Sequence, residues 1–204
     1  MRILIIHNSA DKVRSDNILK QFAGQNAKYT HETVEAIMNP AQPAVGIKRS
    51  FCKAIQRAKD NGWKQVLILE DDFCCLHPDS LEIFIKKSKE TYFEDSLFLA
   101  GIYEGELKAM DWNFPGNSNY PVSKVIGKLS GLHAMIVHKQ LYDKLLSAEE
   151  PYHLDYWISM EAKIPTYVCH PFLIIQNDGY SSNTKSITQY NKTLHLKYKL
   201  INPI

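Results

Sequence analysis

The chain of 204 residues is long enough for one substantial hydrophobic core or, at most, two small domains. With 45% hydrophobic and 23% charged residues, its composition is ordinary for a soluble globular protein. A formal net charge of +2 without a dense lysine or arginine run gives no support for a nucleic-acid partner. No stretch approaches the ~18 consecutive apolar residues of a membrane span, and MRILIIHNSAD is too polar for a secretory signal. We therefore expect a cytoplasmic protein, with peripheral membrane attachment left open.

The first half of the chain alternates predicted strands and helices. Residues 3–7 (ILIIH) predict a strand, and a helical stretch follows around residues 17–22. Apolar side chains recur at helical spacing over residues 47–61, after which Gly62 supplies the left-handed residue that commonly ends a helix. Residues 66–69 (VLIL) lack polar alternation, which predicts a strand buried on both faces, as in a parallel sheet.

The second half continues the alternation less regularly. A helix is predicted from about residue 78 to 92, because Asp79 and Glu82 have the spacing of a capping box. The remaining predicted elements are strands at 97–100, 133–137 and 166–175 and a helix at 139–147. The alternation favours one α/β domain over residues 1–204, with a mostly parallel central sheet flanked by helices.

Two segments do not fit this alternation. Residues 103–128 predict a long loop that contains Trp112 and Tyr120, whose rings suit either the lip of an acceptor site or an oligomer contact. The tail after Gly179 is polar and has no clear period, so no element is predicted there.

The four cysteines do not match a known zinc spacing. Cys74 and Cys75 are adjacent, which suits neither a loop-closing disulfide nor a tetrahedral metal site, and Cys52 and Cys169 are remote in sequence. We expect reduced, structural thiols, and a metal site that combines Cys74 and Cys75 with His77 is the weaker alternative.

The predicted strand at 66–69 runs directly into Glu70, Asp71 and Asp72. Adjacent carboxylates repel each other, so a positive charge is expected nearby. Ligand sites of open α/β sheets lie beyond the carboxyl ends of the strands. In extended backbone Glu70 and Asp72 share a face, and paired oxygen ligands suit Mg²⁺ or Mn²⁺. The alternative is that one aspartate caps a turn while the other carboxylates are solvated.

Five segments in order carry a family resemblance. They are IIHNSADKVRSDNILKQF, GIKRSFCKAIQRAKDNGWKQVLILEDD, SGLHAMIVHKQLYDKLL, HLDYWIS and HPFLIIQNDGYSS. This series resembles glycosyltransferase family 25, the lipopolysaccharide-biosynthesis type, over about residues 1–182, leaving the tail 183–204 uncovered. Two positions depart from the family pattern, because Phe51 stands where the motif has histidine and Met135 replaces an aromatic residue.

The resemblance implies a nucleotide-diphosphosugar transferase (GT-A-like) fold with an Asp-x-Asp type site for Mn²⁺ or Mg²⁺. Asp72 would bind the metal directly, Glu70 would act through the metal or the ribose, and Asp71 would belong to the donor site. The metal would bridge the diphosphate of a sugar donor, with UDP-hexose expected, and offset charge on the leaving nucleotide.

A third protein ligand is expected from the end of the fold. Gln176 and Asp178 follow the last predicted strand, and His170 is the second choice because a lone strand histidine is more often structural. On one continuous strand His170 and Gln176 share a face, so the sequence does not decide between them.

Inverting transfer, which the family implies, needs a general base for the acceptor hydroxyl. Asp155 is the candidate, because it lies in the matched LDYWI segment beside Tyr156 and Trp157, whose rings can stack on a sugar. The alternative is that Asp155 is the N-cap of the following helix.

Four further residues are candidates for binding the donor. Asn8 and Arg14 lie in the first matched segment, and Arg14 would approach the nucleotide or a phosphate unless it is a solvated surface residue. Ser50 would either touch the donor or cap a helix. His133 would contact the donor or order the pocket, and the alternative is a half-buried histidine bonded to backbone.

The resemblance implies a metal-dependent inverting hexosyltransferase that acts on a glycan such as lipopolysaccharide, with peripheral membrane contact through a lipid-linked acceptor. The departure at Phe51 leaves a non-catalytic nucleotide-sugar or glycan-binding relative as the alternative. A phosphoacceptor receiver domain is rejected, because the strand in LFLAG is not followed by the aspartate that fold needs. A nuclease or phosphotransferase is weaker, since no phosphate-cradling glycine loop is present.

Overall fold

The computed structural model of the protein describes residues 1–90, 95–109, 121–149, 153–181, 186–188 and 198–201. Its strands are β1 (Arg2–His7), β2 (Glu32–Glu35), β3 (Gln65–Glu70), β4 (Phe73–Cys75), β5 (Leu97–Leu99), β6 (Glu104–Ala109), β7 (Val122–Ser130), β8 (Ala134–His138), β9 (Thr166–Cys169), β10 (Ile174–Gln176), β11 (Gly179–Ser181), β12 (Ser186–Thr188) and β13 (Tyr198–Ile201). Its helices are α1 (Lys12–Ala23), α2 (Pro43–Asp60), α3 (Ser80–Glu90), α4 (Tyr142–Leu146) and α5 (Leu154–Tyr156). A 3₁₀ turn (Lys139–Leu141) precedes α4, and a π-helical turn (Trp157–Glu161) continues α5.

Nine strands form the central sheet, in the order β13-β6-β7-β9-β5-β8-β3-β1-β2. Following the pairings across the sheet, seven strands run in one direction and only β7 and β8 among these nine are opposed. The predicted α/β fold with a mostly parallel central sheet is therefore confirmed. The described residues also form two small antiparallel pairs, β4 with β10 and β11 with β12.

The central strands are buried on both faces because each face carries its own apolar cluster. Residues 66–69 of β3 are all fully buried, as their unbroken apolar run predicts. Alternate side chains such as Ile68 pack in the cluster that contains α2 and α4, whereas Leu67 packs with residues of α1 and α3 on the other face. The residues that follow β3 are therefore attached to a strand that is buried on both faces.

Helix α2 follows the predicted periodicity and lies against the sheet. It begins with Pro43, whose fixed φ suits a first helical turn, and it ends at Asp60. Gly62, with φ +63°, is the predicted left-handed residue after the helix. Phe51, the departure from the family pattern, is 1% exposed and belongs to the core on the α2 face.

Three predictions about elements are wrong. The described residues of the predicted loop at 103–128 lie mainly in the antiparallel pair of β6 and β7; Trp112 and Tyr120 lie outside the described residues. The predicted strand at 166–175 is two strands in different sheets, β9 and β10, because Pro171 lacks the N–H that a continuous ladder needs. The tail is not without elements, since it contains β11, β12 and β13, and β13 forms an edge of the central sheet beside β6.

In the part of the chain that the structure describes, no helix is both long enough and apolar enough to cross a membrane.

Candidate functional site

The acidic triplet lies where the topology predicts it, at the carboxyl end of β3. This strand is between β1 and β8, with the start of α1 and the end of β10 close by. Glu70 is the last residue of β3, and Asp71 and Asp72 form the turn into β4. Parallel strands end at one edge, so residues after β1 reach the same place. Strand β10 comes to this edge through its antiparallel pairing with β4, which follows the triplet.

The positive charge beside the triplet is Arg14, from the first turn of α1. Its guanidinium lies 3.1 Å from Asp71 Oδ1 and 2.7 Å from Asp72 Oδ2, so one cation bridges both aspartates. Asp11 fixes this turn as the N-cap of α1, accepting a hydrogen bond from the Arg14 backbone N–H at 3.0 Å. The Arg14 side chain is only 23% exposed, so the solvated-surface alternative is wrong.

Asp71 is held on its other side by His7, the last residue of β1. His7 Nδ1 lies 2.9 Å from Asp71 Oδ2, and His7 Nε2 lies 2.9 Å from Ser15 Oγ. Both Asp71 oxygens thus have partners within the protein, and Asp71 ties β1, β3 and α1 together. The remaining binding capacity of the triplet therefore lies with its other two carboxylates.

The backbone of the turn is fixed by two asparagines. Asn17 Nδ2 donates to the carbonyls of Asp71 and Phe73 at 2.9 and 3.1 Å. Asn177 donates its backbone N–H to the Asp72 carbonyl and its amide to Asn17 Oδ1, at 2.8 Å each. Neither asparagine, nor His7, was predicted for the site. The one sequence signal for His7 is its position at the end of a strand that neighbours β3.

In the described part of the chain, Asp72 has partners on only one of its two carboxylate oxygens. Its Oδ2 accepts from Arg14 and, at 2.8 Å, from Gln176 Nε2. Its Oδ1 is buried and has no hydrogen-bond partner among the described residues. Burying a carboxylate oxygen without a partner costs free energy. Binding a cation or a hydrogen-bond donor of a ligand at this atom would remove that cost.

Burial and mutual repulsion dominate the electrostatics of the site. Burial raises the pKa of Glu70 well above its usual range, and the charges of Asp72 and Asp71 raise it further, whereas Arg14 opposes the shift. Burial also raises the pKa of Asp71, against the His7 hydrogen bond and the Arg14 charge. One arginine therefore does not offset all the negative charge, and a further cation would be attracted here.

His133 faces the triplet from the neighbouring strand. It precedes β8, and its carbonyl accepts the Glu70 backbone N–H at 3.0 Å. Its Nε2 lies 3.1 Å from the Ile174 carbonyl, while Nδ1 is buried without a partner in the described part of the chain. The alternative of a backbone-bonded histidine is correct for Nε2, although the side chain is fully rather than half buried, being 1% exposed.

Asp155 lies close enough to the triplet for its charge to raise the pKa of Glu70. Its carboxylate accepts from the backbone N–H of Gly131 at 3.4 Å and of Tyr156 at 2.8 Å. The N-cap of α5 is His153, not Asp155, so the capping alternative is wrong. The structure therefore leaves Asp155 as a half-buried carboxylate at the edge of the site.

Asn8 lies at the site edge of the sheet, whereas Ser50 lies inside helix α2. Asn8 follows β1 at the site edge of the sheet, and its Oδ1 accepts the Ala10 backbone N–H at 3.1 Å. Ser50 is buried within α2, where its Oγ accepts from Ile37 N at 2.7 Å and donates to the Gly46 carbonyl at 2.9 Å. Ser50 is seven residues into the helix and does not cap it, so that alternative is wrong.

The structure separates His170 from Gln176. His170 follows β9, which is three positions from β3 in the sheet, and its ring packs edge-on against Phe172. Because β9 and β10 are separate strands, the expectation that His170 and Gln176 share a face is wrong. Gln176 contacts Asp72, and Asp178 follows β10.

No three histidine, cysteine, aspartate or glutamate side chains among the described residues lie close enough together to hold a metal ion. This finding also removes the alternative of a site built from Cys74, Cys75 and His77, and the cysteines are free thiols. Burial raises the pKa of Cys75 to about 12. At the triplet the open oxygen of Asp72 fits a divalent cation that has one or two protein ligands and takes the others from diphosphate and water.

No protein-family model matches the chain, and no curated protein matches its sequence, so membership of glycosyltransferase family 25 is not confirmed. Among solved structures, a glycosyltransferase involved in the glycosylation of the major capsid of PBCV-1 is similar, with a TM-score of 0.52 and 12% identity, covering 96% of this chain and 98% of that one. 4-Diphosphocytidyl-2C-methyl-D-erythritol synthase has a TM-score of 0.48 at 13% identity, covering 96% of each chain. UTP-bound UGPase from Acinetobacter baumannii has a TM-score of 0.47 at 10% identity, covering 83% of this chain and 69% of that one. The first of these supports the predicted GT-A-like fold at the level of architecture.

Proposed function

We propose that the protein is a metal-dependent inverting glycosyltransferase that moves a sugar from a nucleoside-diphosphate donor to a glycan acceptor. The observation that carries the proposal is Asp72 Oδ1, a buried carboxylate oxygen without a partner among the described residues. It lies at the carboxyl end of a central strand, where sheets of this architecture bind ligands. A cation there would neutralise Asp72 and bind the diphosphate.

The donor site in this proposal is formed by the ends of β1 and β3. Mn²⁺ or Mg²⁺ on Asp72 supplies Lewis-acid stabilisation of the leaving nucleotide. Arg14 holds Asp71 and Asp72 in place and adds positive charge for the diphosphate. Glu70 contacts the metal or the ribose, and Asn8 contacts the nucleotide. We take UDP-hexose as the expected donor.

Asp155 is the proposed general base. Its carboxylate is half buried, accepts the Gly131 N–H, and lies close enough to Glu70 for its charge to raise the Glu70 pKa. A base must reach the acceptor hydroxyl from the face opposite the leaving group for inverting transfer. The neighbouring half-buried ring of Tyr156 is suited to packing against an acceptor sugar. Trp157 is 9% exposed and packs in the core on the α2 face, so the expectation that its ring stacks on a sugar is wrong.

The acceptor in this proposal is a surface glycan such as lipopolysaccharide. A lipid-linked acceptor would bring the protein to the cytoplasmic face of a membrane without a membrane-spanning helix. Trp112 and Tyr120, the predicted acceptor lip, lie outside the described residues. The proposal for the acceptor therefore rests on the family resemblance.

Turnover tests the proposal directly. Release of UDP from a panel of UDP-sugars is measured with Mn²⁺ or with EDTA, with and without glycan acceptors. The expected result is Mn²⁺-dependent release in the wild-type protein, a loss of about 10²–10⁴-fold in Asp155→Asn, and unchanged release in Asp143→Asn, which alters an exposed carboxylate paired with Lys59. UDP binding without turnover of any donor would instead favour the non-catalytic relative.

A further inference from the structure

Two buried acceptor atoms at the site have no hydrogen-bond partner in the described part of the protein. They are Asp72 Oδ1 and His133 Nδ1, which we call the open acceptors. A third unpartnered atom, His31 Nδ1, belongs to a ring that stacks on Phe22 and is not part of the site. Because buried polar atoms are nearly always paired, two such atoms in one site indicate a ligand.

The tautomer of His133 follows from its single hydrogen bond. Nε2 lies 3.1 Å from the Ile174 carbonyl, which can only accept, so Nε2 must carry the proton. With the proton on Nε2, the neutral ring has a lone pair on Nδ1. The ring therefore presents an acceptor with a fixed direction.

The two residues that carry the open acceptors are close enough to interact. The register of β3 and β8 pairs Leu69 with Ala134, so the next pair along is Glu70 and His133, whose side chains lie on one face. The negative charge of Asp72 acts directly on the His133 ring. His133 thus faces the triplet rather than the core behind it.

Gly131 lies beside the imidazole ring of His133. Its φ of +100° favours glycine, and a Cβ at this position would lie 3.5 Å from His133 Nδ1 and 2.7 Å from the Tyr103 backbone nitrogen. Any side chain at residue 131 would therefore lie against the open nitrogen. Glycine at this position therefore leaves the Nδ1 side of the ring without a side chain of residue 131 in contact with it.

The chemistry of the pair selects the ligand. Both atoms accept and neither donates, so a single hydroxyl, with one proton, satisfies only one of them. A water molecule, with two protons, or a divalent cation satisfies both. We favour the cation because an imidazole ligand commonly donates its other ring N–H to a backbone carbonyl, as His133 does.

We propose that His133 Nδ1 and Asp72 Oδ1 are the two protein ligands of the divalent cation, which takes its other ligands from diphosphate and water. This inference rests on the proposed function. It excludes Glu70, Gln176 and His170 from direct coordination. Glu70 is then left to contact the ribose, and Gln176 fixes the other oxygen of Asp72. A nitrogen ligand favours Mn²⁺ over Mg²⁺, whose preferred ligands are oxygens.

Electron spin-echo envelope modulation of bound Mn²⁺ tests the inference without activity. With UDP and Mn²⁺, the wild-type protein is expected to show modulation from one directly bound imidazole ¹⁴N, and ¹⁵N-histidine labelling should shift its frequency. His133→Gln retains a donor for the Ile174 carbonyl but removes the Nδ1 lone pair, so the nitrogen signal should vanish and Mn²⁺ affinity should fall roughly 10- to 100-fold. His170→Gln is the matched control and should retain the signal.

The outcomes distinguish a failure of this inference from a failure of the proposed function. Mn²⁺ bound with UDP but without histidine nitrogen coupling in the wild-type protein would overturn the inference and leave the proposed function standing. A signal that survives His133→Gln and disappears in His170→Gln would overturn it as well. If the wild-type protein binds no Mn²⁺ with any nucleoside diphosphate, both proposals fail. The isotope shift in the labelled wild-type protein, combined with His170→Gln, decides the question even if His133→Gln does not fold.

Discussion

Three consecutive carboxylates are tolerated at the end of β3 because each has a different environment. Asp71 has partners on both oxygens, and Asp72 has two partners on one oxygen only. Glu70 has no such compensation, and its pKa is raised by burial and by its neighbours. The different environments indicate that Asp71 has a structural role and that Asp72 has an oxygen available to bind a ligand.

Replacing Arg14 tests this division. Arg14→Gln removes the cation shared by Asp71 and Asp72 while keeping a polar side chain of similar reach. We expect the free energy of unfolding at pH 7.5 to fall by about 1–3 kcal/mol, because two largely buried carboxylates lose their charge partner. Urea unfolding measures the change. Arg57→Gln, which breaks an exposed pair with Glu32, should cost less than about 1 kcal/mol. Equal effects of the two substitutions would contradict the assignment.

At the scale of the elements, β10 reaches the site because Gly101 allows a close backbone contact. Gly101, after β5, touches the carbonyl of Ile174 so closely that a Cβ would lie 2.2 Å from that oxygen. This contact brings β10, and with it Gln176, beside the acidic triplet. The unbroken apolar runs in the sequence predicted their strands. The sequence does not indicate that Gly101 is the glycine that lets the backbone of β10 come close to the end of β5.

Gly101→Ala is expected to disturb the fold and the site together. The added methyl meets a backbone carbonyl, which cannot rotate away, so either β5 or β10 must move. We expect a loss of roughly 2–4 kcal/mol in the free energy of unfolding, measured in urea. Gly24→Ala is the control, because its added Cβ would lie no closer than 3.4 Å to the Lys20 carbonyl oxygen and its φ is −76°. Its effect should be within about 1 kcal/mol of zero. Similar losses in both variants would refute this account of Gly101.

At the scale of the whole molecule, the raised pKa of Glu70 makes stability depend on pH. In the folded protein Glu70 retains its proton above its ordinary range, so between the two pKa values the folded state binds more protons than the unfolded state. Stability is therefore lost as pH rises from about 4.5 through the raised folded pKa.

Glu70→Gln removes this contribution. The variant should match the wild-type protein near pH 4 and become increasingly more stable as pH rises, by at most about 1.4 kcal/mol per pH unit. Urea midpoints at pH 4, 6 and 8 measure the difference, and Glu106→Gln, at an exposed position in β6, should show no such trend. A Glu70→Gln variant that is less stable than wild type, with a difference that grows with pH, would contradict the raised pKa.

The sequence was sufficient for the architecture but not for the partners within the site. Apolar runs such as residues 66–69 and the helical spacing of α2 predict elements because they reflect local burial. Pairings such as Arg14 with Asp72 and His7 with Asp71 join segments more than fifty residues apart. Local patterns contain no information about such contacts. The short β6 and β13 were missed because their polar and lysine-bearing residues hide the strand period.

Calorimetric titration of UDP, with and without Mn²⁺, tests the central claim most directly. The account predicts that UDP binds the wild-type protein only with Mn²⁺, and that Asp72→Asn, which preserves the shape of the side chain, abolishes the metal-dependent binding. Asp143→Asn should bind UDP as the wild-type protein does. Metal-independent binding that Asp72→Asn leaves unchanged would contradict the account, as would the absence of binding by UDP and by every other nucleoside diphosphate.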